Sequence, residues 1–333
     1  MKKLHLSKLA VMMIALVMLL TACSSADKST ETPDPATPTT VEITDIHGVV
    51  TVPVNPKNVV SLDNRTFETL SAWGVKLVAV PKGVMPADSS YVKDTTVQDI
   101  GDHREPNLEV LAAANPDLVI VGQRFAGYYD EIKKLVPNAA VIDLNFDVSE
   151  TAANSGENLI NGFKSTTAAL GKIFEKTAEA DKLIADLDTS IAAAKKAYNG
   201  TDKIMSVIVS GGTIGFSAPK SGRVWGPLYE VFNWTPALTV DGSTSDHQGD
   251  EVSVEAIAKS NPDWIFVLDR DASIASSTDA VPAKDVIANS PALQNVTAVT
   301  KNQVVYAPAN TYTNESIQTF ITIFNDIAAA LSR

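Results

Sequence analysis

The sequence predicts an α/β protein of two related lobes, each built on a central parallel sheet. Three observations carry that expectation. The first is an internal repeat: the 18 residues from Asn107 to Arg124 align without a gap on Ser253 to Arg270, an offset of 146 residues. The second is the strand-helix-strand order with which the folded part begins, a pattern typical of α/β architecture. The third is length, because 333 residues suffice for about two domains of ordinary size.

Both copies of the repeat read alike. An amphipathic helix carries Glu109 or Glu255 near its start, where a carboxylate suits the helix dipole. Asn-Pro-Asp ends the helix, since proline lacks a donor and restricts the residue before it. Five mostly apolar residues follow, the pattern of a strand buried on both faces of a parallel sheet. Arg124 and Arg270 then fall at or just past the C-terminal ends of those strands. That is the edge at which open α/β sheets bind ligands. Two copies are too few for a solenoid and imply paired lobes.

The other elements follow in chain order. Met1–Lys8 is basic and Leu9–Leu20 is an apolar run of 12 residues. As a helix that run rises about 18 Å, too short for a bilayer core of about 30 Å. Residues 1–22 therefore read as a signal peptide. Leu-Thr-Ala-Cys, ending at Cys23, resembles a lipobox, and the sole cysteine of the chain falls at its cleavage point. Acylation there gives a stable lipid anchor where two or more chains are attached. Residues 23–40 form a Ser-, Thr- and Pro-rich tether. The first lobe is expected over 41–154. Within it Val49–Val54 alternates like an edge strand, and the strands Val59–Leu62 and Leu77–Val80 flank a helix at about Arg65–Trp73 that stops at Gly74. Residues 155–176 form a connecting helix with Leu159, Phe163, Leu170 and Phe174 on one face. The second lobe, 177–333, opens with a helix through Leu183, Leu187, Ile191 and Ala194. It continues with a strand at Ile204–Val209, a helix at Arg223–Val231, a strand at Val304–Tyr306 and a closing helix at Ser316–Leu331.

Charge and composition exclude several classes. The formal charge is −12, and the signal segment holds three lysines and no acid, so its loss leaves −15. A chain that acidic does not suit nucleic acid. A lone cysteine excludes disulfides and cysteine metal sites in a monomer. Only three histidines survive processing and none has ligand spacing, which disfavours a buried site for bare Mn(II) or Zn(II). No Gly-x-Ser-x-Gly or His-Glu-x-x-His occurs, so no enzyme is indicated. Gly211-Gly212-Thr-Ile-Gly215 leads to Pro219 rather than to a helix and does not suit a dinucleotide.

Lipobox, tether, the segment Val49–Leu62, the two Glu…Asn-Pro-Asp copies and the long helix together resemble the siderophore- and cobalamin-type binding proteins of ABC importers. The similarity covers Val41–Arg333. Within that group, Ala218-Pro-Lys-Ser-Gly-Arg223, Asp246-His247-Gln-Gly249 and Asn261 to Arg270 resemble the ferric-catecholate branch, the petrobactin and enterochelin binders. The resemblance implies two Rossmann-like lobes joined by one rigid helix, with no catalysis and no resident cofactor. It implies Arg124, Arg223 and Arg270 as cleft arginines, and His247 and Tyr312 as side chains able to ligate Fe(III) where the siderophore leaves positions open. It implies Glu109 and Glu255 as docking residues for the permease, with the permease's ATPase as a further partner of the system. It also implies a monomer anchored through Cys23 on the extracytoplasmic face. The chemistry agrees: a ferric catecholate is a compact anion with flat faces, and arginine is always charged, forks its donors and stacks on rings. Haem, cobalamin or another iron-containing ligand stays open as an alternative. So do plainer roles: each arginine as a surface cation, each glutamate as a helix cap, His247 as an exposed histidine and Tyr312 as a hydrogen-bonding cleft residue.

Overall fold

The computed structural model describes residues 39–149, 151–274 and 280–333. The signal segment, Cys23 and nearly all of the expected tether lie outside these residues. Thr40, expected as the last tether residue, instead opens a strand. Strands β1 (Thr40–Asp45) and β2 (Gly48–Pro53) pair antiparallel as a separate two-stranded ribbon. The run expected as an edge strand is therefore not part of a main sheet. Its partner is the preceding Val41–Asp45 run, and Ile43 and Val52 bury the shared inner face. The ribbon is held to the first lobe where Asp143 N donates to Asp45 Oδ2 at 2.9 Å.

Two five-stranded sheets follow. The first contains β3 (Val59–Ser61), β4 (Leu77–Val80), β5 (Gln98–Asp99), β6 (Leu118–Val121) and β7 (Ala140–Asp143). They are parallel, in the order β5-β4-β3-β6-β7. The second contains β8 (Lys203–Ser210), β9 (Thr213–Phe216), β10 (Thr235–Pro236), β11 (Trp264–Asp269) and β12 (Val304–Tyr306). Its parallel order is β10-β8-β11-β12, with β9 returning antiparallel along β8. Gly211 and Gly212, at φ 57° and 73°, make the tight turn between β8 and β9, which needs positive φ at both central positions. Alternate residues of β6 and β11 enter different apolar clusters, so both sheets are buried on both faces.

The repeat occupies the same place in each sheet, since β6 lies between β3 and β7 as β11 lies between β8 and β12. Its helices are Leu108–Ala113 and Val254–Ser260, capped by Asn107 and Ser253 side chains that accept from Val110 N and Ala256 N. Asn115 and Asn261 both sit at φ 45°, a left-handed conformation that asparagine tolerates. Each helix thus stops at the asparagine, one residue before the proline. The aspartates then clamp the neighbouring strand. Asp117 Oδ2 accepts from Lys57 N and Asn58 N at 2.9 and 3.0 Å, and Asp263 Oδ2 accepts from Lys203 N at 2.8 Å.

A 19-residue helix, Ser155–Ile173, runs from one lobe to the other. Its Leu159 and Phe163 join the core of the second lobe, while Leu170 and Ile173 join that of the first. Helix Thr177–Ala197 follows and packs against the closing helix Ile317–Leu331. Direct bonds also cross between lobes. Glu68 accepts from Asn314 Nδ2 at 2.8 Å and from Ser316 Oγ, and Thr69 Oγ1 pairs with Gln318 Oε1 at 2.9 Å. Two expected helices are shorter than the sequence suggested. Arg65–Trp73 reduces to Phe67–Ala72, and Arg223–Val231 is replaced by Gly226–Phe232. Val224 at φ 65° breaks the second of these, so Arg223 lies on the loop before the helix. No helix among the described residues is long and apolar enough to cross a membrane.

Candidate ligand-binding site

Arg124, Arg223, Arg270, His247 and Tyr312 all line one cavity of about 840 Å³ between the lobes. The repeat explains two of them. Arg124 lies in the 3-10 turn Gln123–Tyr128 just after β6, and Arg270 directly follows β11. Each therefore projects from the C-terminal edge of a central strand. Arg223 joins them from its loop.

The three guanidinium carbons converge on the ring of Tyr312, at 5.3 Å (Arg124), 4.3 Å (Arg223) and 5.1 Å (Arg270) from its centroid. Aromatic faces attract cations at these separations. Arg124 and Arg223 also donate to the Tyr312 carbonyl at 3.0 and 3.4 Å, and Arg270 donates to Ser210 Oγ at 3.1 Å. The buried Nε atoms of Arg124 and Arg270 have no partner among the described residues. Tyr312 is itself fixed, its N–H donating to Ser273 Oγ at 3.2 Å while that hydroxyl donates to Ala309 O at 2.6 Å. Burial would raise the pKa of the phenol. The charge of Arg223 and the contacts of Arg270 and Arg124 outweigh burial and pull it below its ordinary value.

His247 stands exposed at the rim, on a loop pinned to β9 by paired backbone bonds between Phe216 and Asp250 at 2.9 and 2.8 Å. Thr244 Oγ1 donates to Asp250 Oδ1 at 2.8 Å, and Gln248 N donates to Asp246 Oδ1 at 2.7 Å. The loop is thus braced at both ends while the imidazole faces the cavity.

Several cavity residues carried no sequence signal. Lys82, His103 and Arg104 line the same space from the first lobe. Burial, then the nearby charge of Arg124, lowers the pKa of His103 and favours its neutral form. Glu315 is buried and paired with Arg223, whose Nε donates to it at 2.8 Å. Burial would raise the pKa of Glu315, but Arg223, Arg65 and Arg124 hold it below the usual carboxylate range. Arg65, only 4% exposed, lies over the Phe146 ring at 3.9 Å and donates to Asn145 Oδ1 at 2.8 Å. Next to it Asp63 is pushed up to about 6, chiefly by burial. Asp63, Arg65, Glu315 and Arg223 thus form a buried ladder of charge from the first lobe into the second. Asp63 and Arg65 follow the C-terminal end of β3, so the strand-edge rule that found Arg124 applies to them equally.

Glu109 and Glu255 are exposed in the first turns of the matched helices and do not line the cavity. Tyr129 stacks on His47 at 3.7 Å, which accounts for both by packing. Among the described residues no group of three His, Cys, Asp or Glu side chains is placed to hold a metal ion.

Comparison with known proteins gives a consistent result. The Periplasmic binding protein family profile matches residues 59–311. The petrobactin-binding protein YclQ of Bacillus subtilis is 33% identical over 319 residues, covering 92% of this chain and 93% of the relative. The ferric-anguibactin-binding protein FatB of Vibrio anguillarum is 27% identical, covering 84% of each. The crystal structure of YclQ superimposes with a TM-score of 0.72 at 28% identity, covering 88% of this chain and 99% of the other. With two matched lobes, a shared central repeat and a cleft between them, the chain belongs to the periplasmic binding protein family.

Proposed function

We propose that this chain captures a ferric siderophore of the catecholate type between its lobes and delivers it to the permease of an ABC importer. The observation that supports this reading is the convergence of three arginines on one buried tyrosine ring in an otherwise acidic protein. An iron-catecholate anion offers negative oxygens to the guanidinium forks and flat faces for stacking. One charge pair at 4 Å and an effective dielectric of 20 is worth about 4 kcal/mol before desolvation. The names of YclQ and FatB, binders of petrobactin and ferric anguibactin, agree with this ligand class. In this reading His247 and Tyr312 complete the iron sphere when the siderophore supplies fewer than six donors. Cys23 carries the lipid anchor outside the cytoplasm, Glu109 and Glu255 meet the permease, and the protein acts as a monomer without catalysis or a resident cofactor.

The test is titration of the purified protein with ferric siderophores, cobalamin and divalent metals, followed by Trp fluorescence. Quenching by ferric catecholates is expected. Silence toward all of them, together with tight binding of bare metal, overturns the reading. His247→Ala is expected to weaken a tetradentate ferric complex at least tenfold and a hexadentate one by less than threefold. Equal losses remove His247 from the iron sphere.

A further inference from the structure

A second cavity of about 520 Å³ adjoins the first, and Gln123 and Arg223 line both. Its character differs. The first cavity carries surplus positive charge, because among the described residues no carboxylate lies within ion-pair distance of Lys82, Arg104 or Arg124. In the second the cations are already answered. Arg223 is paired with Glu315, and Arg65 lies between Asp63 and Glu315 with its guanidinium over Phe146. The rest of the lining is largely hydrocarbon, from Phe146, Val148, Leu159, Val224, Pro227 and Phe320. The polar remainder consists of hydroxyls and amides able to bond an uncharged group, together with the Asp147 carboxylate, which repels an anion. An anion gains little in such a space, whereas an alkyl chain gains by leaving water.

We propose that the two cavities divide one ligand: the ferric anion occupies the arginine-rich cavity, and an uncharged, largely hydrocarbon arm of the chelator passes Gln123 into the second. This inference rests on the ferric-chelate reading and adds a selectivity to it. The protein discriminates between ferric complexes of equal charge by the arm that one side carries. Arg223 makes the boundary, one face toward the Tyr312 ring and its Glu315 pair toward the second cavity.

The probes are the ferric complexes of N-methyl- and N-hexyl-2,3-dihydroxybenzamide, which share their iron donors and charge and differ in the arm. The native full chain is expected to bind the N-hexyl complex at least tenfold more tightly. Val148→Trp and Ser149→Trp, each placing an indole in the second cavity, are expected to erase that difference while changing affinity for the N-methyl complex less than twofold. Thermal unfolding of both variants shows that they fold, and either one suffices. Equal binding of the two complexes by the native chain overturns the inference and leaves the ferric-chelate reading intact. So does a hexyl advantage that survives both indoles. Failure to bind either complex overturns both.

Discussion

Tyr312 places a phenol among three guanidinium groups, and its acidity is the most direct readout of that arrangement. The cations overcome burial, so the tyrosinate absorbance that disappears in Tyr312→Phe is expected to titrate below pH 10, the ordinary midpoint. A difference spectrum between the two proteins across the alkaline range checks this. Glu315 acts in the opposite sense, as the buried counter-charge. Glu315→Gln leaves Arg223, Arg65 and Arg124 without it and is expected to cost about 3 kcal/mol, the scale of breaking a buried pair. The same change raises the positive potential around Tyr312, so ferric-anion affinity rises while the melting temperature falls. Calorimetry on one sample reads both. Arg124 and Arg270 were legible in the sequence because the repeat put each at a matching strand end. Arg65 also follows a strand end, but its neighbourhood with Glu315 was not legible, because a cation and an acid 250 positions apart share no pattern until folding brings them together.

At the scale of elements, the Asn-Pro-Asp unit performs three tasks in three residues. The asparagine turns the chain left-handed, the proline forbids more helix, and the aspartate fastens the next strand to its neighbour. The first two tasks follow from residue type, whereas the third depends on a partner strand about 60 residues earlier. The ribbon of β1 and β2 was legible only as an edge strand, for a related reason: alternation reveals a half-buried strand but not which strand it pairs with. Packing leaves no room for a side chain at Gly162 of the connecting helix. A Cβ on Gly162 falls 2.2 Å from the Phe146 ring, and that ring covers Arg65. Gly162→Ala is expected to cost about 1–3 kcal/mol, the usual scale of overpacking. Equilibrium urea unfolding measures it. The same variant is expected to weaken binding of an arm-bearing ligand, because the displaced ring enters the second cavity.

At the scale of the molecule, the repeat supplies two similar lobes and therefore two similar exposed acids, Glu109 and Glu255, at matched helix starts. Charge reversal of either to lysine is expected to leave siderophore affinity within twofold and to reduce cellular iron uptake at least fivefold. Radioiron accumulation in a strain lacking the native protein checks this, and loss of affinity instead would tie the acids to the ligand. Two-lobed architecture was legible because a repeat with a constant offset survives any error in element boundaries. The bracing between the lobes was not. It lies in the Glu68 cluster and in the bond from Arg124 to the Tyr312 carbonyl, single contacts without sequence periodicity. The helix Ser155–Ile173 has its two ends seated in different cores, so a strut of fixed length separates the lobes that carry the two acids.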